Sequence, residues 1–238
     1  MMHIIGIGLE TKDISLKGIE ALRKCRKAYL EDYTSDLPYR IKELEKVIKK
    51  KVILVGRNFV EDGNALLEES KKFNIALLSY GDPLSATTHI DLLLRAKKQK
   101  IKTEIIHSSS IFTAVAESGL QLYKFGKTAS IPKFYPNFKP ESFYDVINSN
   151  KKSDAHTLIL IDIGLSVNDA LSQLKEITDR KDEKLGKILI CERAGTEQKR
   201  FYYDSFEKLI KKKFKLPSCI IIPGKLHFVE EEALRMLN

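Results

Sequence analysis

Short apolar runs recur along the first half of this chain, and segments of helical spacing separate them. His3–Gly8, Ala28–Glu31, Val52–Val55, Ile75–Ser79 and Ile101–Ile106 each read as a buried strand. Between them lie a helix capped by Ser15 with Leu16, Ile19, Leu22 and Cys25 inward, a helix opened by Pro38 with Ile41, Leu44, Val47 and Ile48 inward, and a helix from Ala65 to Phe73. Strands that alternate with helices at this rhythm specify a mainly parallel sheet covered on both faces. Ligands enter such sheets at the carboxyl ends of the strands, so the chemistry is sought in the loops that follow them.

The richest of these loops is Gly81-Asp82-Pro83-Leu84-Ser85-Ala86-Thr87-Thr88-His89. Gly81 reaches backbone angles closed to other residues, Pro83 fixes its own φ and biases Asp82 away from helix, and Ser85 reads as the cap of the next helix. Ala86, Ile90, Leu93 and Leu94 are expected on the core side of that helix, with Asp91, Arg95 and Lys98 in water. The first strand opens into Gly6-Ile7-Gly8-Leu9, where two glycines allow close approach of a ligand; the third glycine of a dinucleotide fingerprint is missing. The fifth runs into His107-Ser108-Ser109-Ser110-Ile111, and Ser110 reads as the cap of a helix reaching Glu117. The free N–H groups of that helix start suit a polar ligand.

After Gly119 the texture changes, with seven aromatics from Tyr123 to Tyr144 interleaved with Pro132, Pro136 and Pro140. This marks the passage into a second domain. Phe143–Asn148 and Val167–Ile177 read as helices, the latter with Ala170, Leu171 and Leu174 inward. Leu158–Ile161, Lys187–Cys191 and Ile220–Ile222 read as strands, Ser205–Phe214 as a helix, and the terminal segment as a helix with Val229, Ala233, Leu234 and Leu237 inward.

The chain's 238 residues suffice for a substantial core, and 43 % hydrophobic with 31 % charged residues describes a soluble globular protein. No apolar run approaches the roughly 20 residues of a membrane span, and the first residues lack the segments of a secretory signal. The expected location is the cytoplasm, with no membrane partner. Cys25, Cys191 and Cys219 are odd in number, far apart and set in apolar patterns, which argues for reduced core thiols. No histidine pair has metal-ligand spacing, so no metal is expected. The net charge of +9 favours acidic partners. Lysine runs such as Lys49–Lys51 and Lys211–Lys213 lack the interleaved aromatics of a nucleic-acid module, and direct nucleic-acid binding is not expected.

The string Gly81-Asp82-Pro83-Leu84, followed by Ala86-Thr87-Thr88-His89, resembles the signature of the diphthine synthase branch of the tetrapyrrole methylase family, S-adenosylmethionine-dependent methyltransferases. Further similar strings follow in the family's order: Asp13–Gly18, Glu31–Ser35, Tyr123–Lys127, Glu192–Gly195 and Pro223–His227. The resemblance implies a tetrapyrrole methylase-like fold of two α/β domains, residues 1–112 and 113–238, with the cofactor cleft between them, working as a homodimer. Carried over by position, the S-adenosylmethionine contacts are Leu9, Asp82, Ser85, Ser110 and Ile111 in the first domain and Ile161, Ala194 and Cys219 in the second. The implied substrate is a histidine of translation elongation factor 2 bearing a 3-amino-3-carboxypropyl group, whose amine is trimethylated. Compact chain ends resemble the archaeal members; eukaryotic ones add a further methyl ester.

Such chemistry needs neither metal nor protein nucleophile, because the sulfonium is already activated and a neutral amine attacks its methyl carbon. Free α-amino groups titrate near roughly 8, so a modest downward shift in a cationic pocket removes the need for a dedicated base. An aromatic ring near the growing ammonium would assist through cation–π attraction. The substrate carboxylate calls for a cation, and Arg193, Lys225 and His227 at strand ends are the candidates. Two rivals stay open: a methylase of tetrapyrrole precursors or ribosomal RNA, and a non-catalytic module that binds an acidic partner.

Overall fold

Every position of β1 (Met2–Gly6) and β4 (Ile75–Ser79) is buried, which requires both faces of these strands to be covered. The computed structural model, which describes residues 1–33 and 36–237, places them at the centre of a five-stranded parallel sheet. Thr34 and Ser35, which end one of the family-like strings, lie outside the described residues. The other strands are β2 (Lys27–Glu31), β3 (Ile53–Val55) and β5 (Thr103–Ile106), in the order β3-β2-β4-β1-β5. The connecting helices are α1 (Leu16–Lys24), α2 (Ile41–Ile48), α3 (Arg57–Asp62), α4 (Asn64–Lys72) and α5 (His89–Lys98). Alternation along the strands divides the core in two. Ile5, Leu30 and Leu78 meet Leu22 of α1 and Leu44 of α2, whereas Ile4, Tyr29 and Leu77 meet Leu66 of α4 and Leu92 of α5.

The chain divides into two compact units, Met1–Phe112 and Thr113–Asn238, the boundary falling in the short helix α6 (Ile111–Ala114). The second unit contains β6 (Ala129–Ile131), α7 (Ser142–Lys152), β7 (Thr157–Ile161), α8 (Val167–Arg180), β8 (Lys187–Glu192), β9 (Arg200–Ser205), α9 (Phe206–Leu209), β10 (Ser218–Ile222) and α10 (Phe228–Met236). Its sheet runs β6-β7-β10-β8-β9; β6 and β7 are parallel and the other pairs antiparallel. Phe143 and Ile147 of α7 and Leu171 and Leu174 of α8 pack on Ile159, Ile190 and Ile220.

Ser15 caps α1 as expected, accepting from the Gly18 N–H at 3.1 Å, and Leu22 and Cys25 are buried as expected, but Leu16 is 80 % exposed and Ala21 is buried in its place. Four further expectations are corrected. Ser85 does not start α5; the helix begins at His89, with Thr88 at its cap position, and buries His89, Leu92 and Ala96. Ile90 and Leu94 face solvent, because burying the His89 ring sets the phase of the helix. In α10 the inward residues are Glu230 and Leu234, and Val229 is exposed. Ser205–Phe214 is helical only over α9, since Arg200–Ser205 pairs with β8 as an edge strand. The second sheet is mainly antiparallel, unlike the first. Among the described residues no helix is long and apolar enough to cross a membrane.

Candidate functional site

Parallel strands end on one side of their sheet, so the loops after β1, β4 and β5 gather there by topology alone. Gly8 and Gly81 join the first two by reciprocal bonds, Gly8 N–H to Gly81 O at 3.1 Å and Gly81 N–H to Gly8 O at 3.0 Å. Both glycines have positive φ, +74° and +73°. Gly6 is needed for a different reason: a Cβ there would lie 2.6 Å from the Gly81 carbonyl oxygen. The Tyr80 hydroxyl adds a bond to Leu9 O at 3.2 Å.

Two carboxylates staple these loops. Asp82, 8 % exposed, accepts on Oδ1 from the Leu84 N–H at 3.0 Å and more weakly from the Ser85 hydroxyl at 3.4 Å. On Oδ2 it accepts from the His107 Nδ1–H at 2.7 Å and the Ser108 N–H at 3.2 Å. Burial pushes this carboxyl up, but the Leu84 N–H, the His107 ring and the Ser108 N–H outweigh burial and hold it below its ordinary range. A carboxylate has about four lone-pair positions, so Asp82 is spent on its own loop and on the β5 loop. Asp13, which the sequence placed only at a helix start, accepts on Oδ2 from the N–H groups of Leu9 at 3.0 Å and Glu10 at 3.1 Å and from the Ser109 hydroxyl at 2.7 Å. The Ser108 hydroxyl donates to Asp13 O at 3.0 Å, and the buried Ser110 hydroxyl accepts from the Phe112 N–H at 3.2 Å at the start of α6.

Behind the loop after β4 lies a pair that the sequence reading missed. Glu31 and His89 have fully buried side chains, 2.8 Å apart between Oε2 and Nε2. The other imidazole nitrogen faces Pro83 O at 2.7 Å, and the Ser79 hydroxyl donates to Glu31 Oε1. A carbonyl only accepts, so Nδ1 of His89 carries its proton, and a further proton is shared between Nε2 and the carboxylate. Burial lowers the His89 affinity for protons, but Glu31 and Pro83 O outweigh it and raise its pKa above the ordinary value.

In the second unit the structure collects Ile161, Ala194 and Cys219 at one end of the sheet. Cys219 pairs with Leu160 of β7 and Cys191 of β8, so the end of β7, the residues after β8 and the start of β10 lie side by side. Cys191 and Cys219 are buried free thiols, and burial raises the Cys191 pKa well above its usual value. Arg193, at φ +50°, lies at this same end, where its Nε donates to Leu216 O at 3.0 Å and its Nη1 to Gln198. Lys225 and His227 follow the opposite end of β10, near Thr157 at the start of β7. The three substrate candidates therefore do not form one cluster. The His227 ring instead stands at the start of α10, accepting from the Val229 N–H at 3.4 Å.

Two of the family-like strings of this unit, Tyr123–Lys127 and Pro223–His227, meet at Glu230, which is completely buried. It accepts from the N–H groups of Gln121 (2.9 Å) and His227 (2.8 Å), the His156 ring (3.0 Å) and the Lys124 ammonium. Burial opposes ionisation of Glu230, but the His227 N–H, Lys124, the Gln121 N–H and His156 bring its pKa down to about 2. His156 accepts from the Gly224 N–H at 2.9 Å on its other nitrogen, and burial lowers its pKa, so it is a neutral ring donating to Glu230.

The first-unit corner is acidic in side-chain composition. Its loops carry Glu10, Asp13 and Asp82 against Lys12 alone among lysines and arginines. A Cβ built on Gly81 would make only ordinary van der Waals contacts, 3.8 Å from Ser109 and 3.9 Å from Ser110, so the close approach of these two loops is not what requires glycine there. Among the described residues no group of histidine, cysteine and carboxylate side chains is arranged to hold a metal.

Comparison with known proteins identifies the family. Residues 1–210 match the Tetrapyrrole (Corrin/Porphyrin) Methylases. A curated diphthine synthase of Methanococcus vannielii is 41 % identical over 251 residues, covering 100 % of this chain and 98 % of the relative. A protein of Arabidopsis thaliana named "Probable diphthine methyl ester synthase" is 37 % identical over 268 residues, covering 98 % of this chain and 97 % of its own. A crystal structure of a diphthine synthase superposes with a TM-score of 0.90 at 35 % identity, covering 99 % of this chain and 95 % of that one.

Proposed function

We propose that this chain, which belongs to the diphthine synthases of the tetrapyrrole methylase family, methylates the amine of a 3-amino-3-carboxypropyl-histidine on translation elongation factor 2, with S-adenosylmethionine as donor. When bound, S-adenosylmethionine supplies a methyl group already activated on a sulfonium. The observation that carries the reading is the corner formed by Gly8, Gly81 and Asp82 in a chain similar to diphthine synthases from end to end.

Leu9, Asp82, Ser85, Ser110 and Ile111 hold the cofactor from the first unit; the resemblance assigns Ile161, Ala194 and Cys219 the same ligand. Asp82 acts through the loop it staples, presenting backbone at fixed positions rather than offering a free carboxylate. Asp13 does the same for Leu9. Positioning of donor and acceptor then carries the rate, since holding two reactants in line replaces a bimolecular encounter. No side chain of the corner is a dedicated base; the acceptor amine loses its proton to solvent before attack. Arg193, Lys225 and His227 remain the candidates for the substrate carboxylate. Arg193, at the sheet end that bears Ala194, is the first to test. The number of methyl groups follows the archaeal pattern of three, and the chain works as a homodimer in the cytoplasm.

Incubation with methyl-labelled S-adenosylmethionine and elongation factor 2 carrying the 3-amino-3-carboxypropyl-histidine tests the assignment. Label on the factor, with none on a tetrapyrrole precursor or ribosomal RNA, is the expected result. Label on either alternative, or on nothing, overturns it.

A further inference from the structure

A cavity of about 460 Å³ opens in the second unit, beside the far ends of β7 and β10 from Ile161, Ala194 and Cys219. The three-residue rise of β10 from Cys219 to Ile222 alone separates the two regions by roughly 10 Å. The apolar part of its wall comes from Ile147, Leu185 and Ile222, and its charged part from Lys151, Lys184, Lys187 and Lys225. None of these four lysines forms an ion pair among the described residues, as is also true of Lys127, Lys133, Lys152, Lys211, Lys212, Lys213 and Lys215 of the same unit; what sets the four apart is that they share one cavity wall. The carboxylates that line the cavity are Glu183, already accepting from the Tyr144 hydroxyl at 2.6 Å, and Asp154. Lys187 also lies 5.3 Å from the centre of the Tyr203 ring.

Four lysines against two carboxylates, one of them already bonded to Tyr144, leave an excess of positive charge on one concave, partly apolar wall, which favours an anion there. The volume is that of a small-ligand pocket, room for a few side chains but not for a track of stacked bases. We propose that this cavity is a docking site for an acidic segment of the protein substrate, with carboxylates on the lysines and an intervening apolar residue against Ile147 and Ile222. The proposal rests on the reading that the chain modifies a protein. It supplies what such an enzyme needs beyond a cofactor corner, a hold on a large substrate beyond the modified side chain, so that affinity need not depend on that side chain alone.

The test uses the full chain with Lys151, Lys184 and Lys187 changed together to Glu; Lys225 is left intact because it is a candidate at the substrate carboxylate. Binding of elongation factor 2 to the immobilised protein is measured beside the KM and kcat for its methylation. The expected result is a rise of about tenfold or more in both Kd and KM, with kcat and S-adenosylhomocysteine affinity within about twofold. This is the range of several exposed ion pairs lost and reversed. Raising salt from about 0.05 to 0.5 M weakens the native chain toward the variant and changes the variant little. A parallel triple Gln variant, which cannot lose folding to charge reversal, shows the same direction with a smaller rise. Unchanged binding of the factor by both variants overturns the proposal, as does loss of affinity confined to a fluorescent RNA oligomer. Lysine-dependent binding without methyl transfer would defeat the enzymatic reading and leave the docking site standing; methyl transfer without lysine dependence would do the reverse.

Discussion

Replacing Glu31 separates two accounts of the loop after β4, one in which it is held by its own turn and one in which a buried ionic pair holds it. With Leu at position 31, the His89 Nε2 and the Ser79 hydroxyl face hydrocarbon with no partner, because both side chains of the pair are fully buried. Removing one member of a buried pair costs about 3–5 kcal/mol. At about 2–4 °C per kcal/mol for a chain of this size, the melting temperature falls by roughly 6–20 °C. Gln at the same position behaves differently. Its amide N–H donates to the unprotonated Nε2 of a neutral His89 and its oxygen accepts from Ser79, so the cost stays near about 1 kcal/mol. The Gln variant also differs from the native chain in pH dependence. His89 has a raised pKa in the folded state, so its contribution is complete below the unfolded value of 6.5 and is lost as pH rises through the folded value. Gln removes that alkaline loss, and thermal unfolding followed by circular dichroism across neutral and alkaline pH reads both effects. Leu and Gln variants that melt together, or a Gln variant that keeps the native slope with pH, would show that the pair does not hold the loop.

Asp82→Ala frees the N–H groups of Leu84 and Ser108 and the His107 ring at once, and isothermal calorimetry should show S-adenosylhomocysteine affinity weakened by about tenfold or more, the scale of one charge-assisted hydrogen bond. Because the folded Asp82 pKa is depressed, its contribution is present above the ordinary 3.8 and is lost as pH falls through the folded value. In the second unit, Glu230 contributes about 3 kcal/mol above its ordinary 4.5, lost as pH falls toward about 2; Glu230→Ala should therefore flatten the acid limb of a urea-unfolding series. Gly6→Ala drives a Cβ to within 2.6 Å of Gly81 O, so it should abolish the Gly8–Gly81 bridge and cofactor binding together, seen as loss of both in calorimetry and amide hydrogen exchange.

The strands were legible because burial on both faces leaves near-continuous apolar runs, as in Ile75–Ser79. The Ser15 cap and the turn at Gly81 were legible because their signals are local. The phase of α5 was not: a histidine reads as a polar position, and only its partner on β2, 58 residues away in sequence, turns it inward. The same holds for Glu230, which reads as an exposed helix glutamate until His156, 74 residues earlier, and Lys124 are brought to it. Strand β9 was missed because Arg200–Ser205 is an edge strand with no fully buried position and so no apolar run. At the corner, glycines and Asp82 were identified from the sequence, but Asp13 was seen only as the approach to a helix, since its bond to Ser109 spans 96 residues.

Where the nucleoside binds decides the function most directly. Diffraction from crystals of the full chain soaked in S-adenosylhomocysteine should show it against the loops that bear Gly8, Gly81 and Ser110, with Asp82 still bonded to Leu84 and Ser108. Density for the nucleoside at any other place, with this corner unchanged, would contradict the methyl-transfer site drawn here.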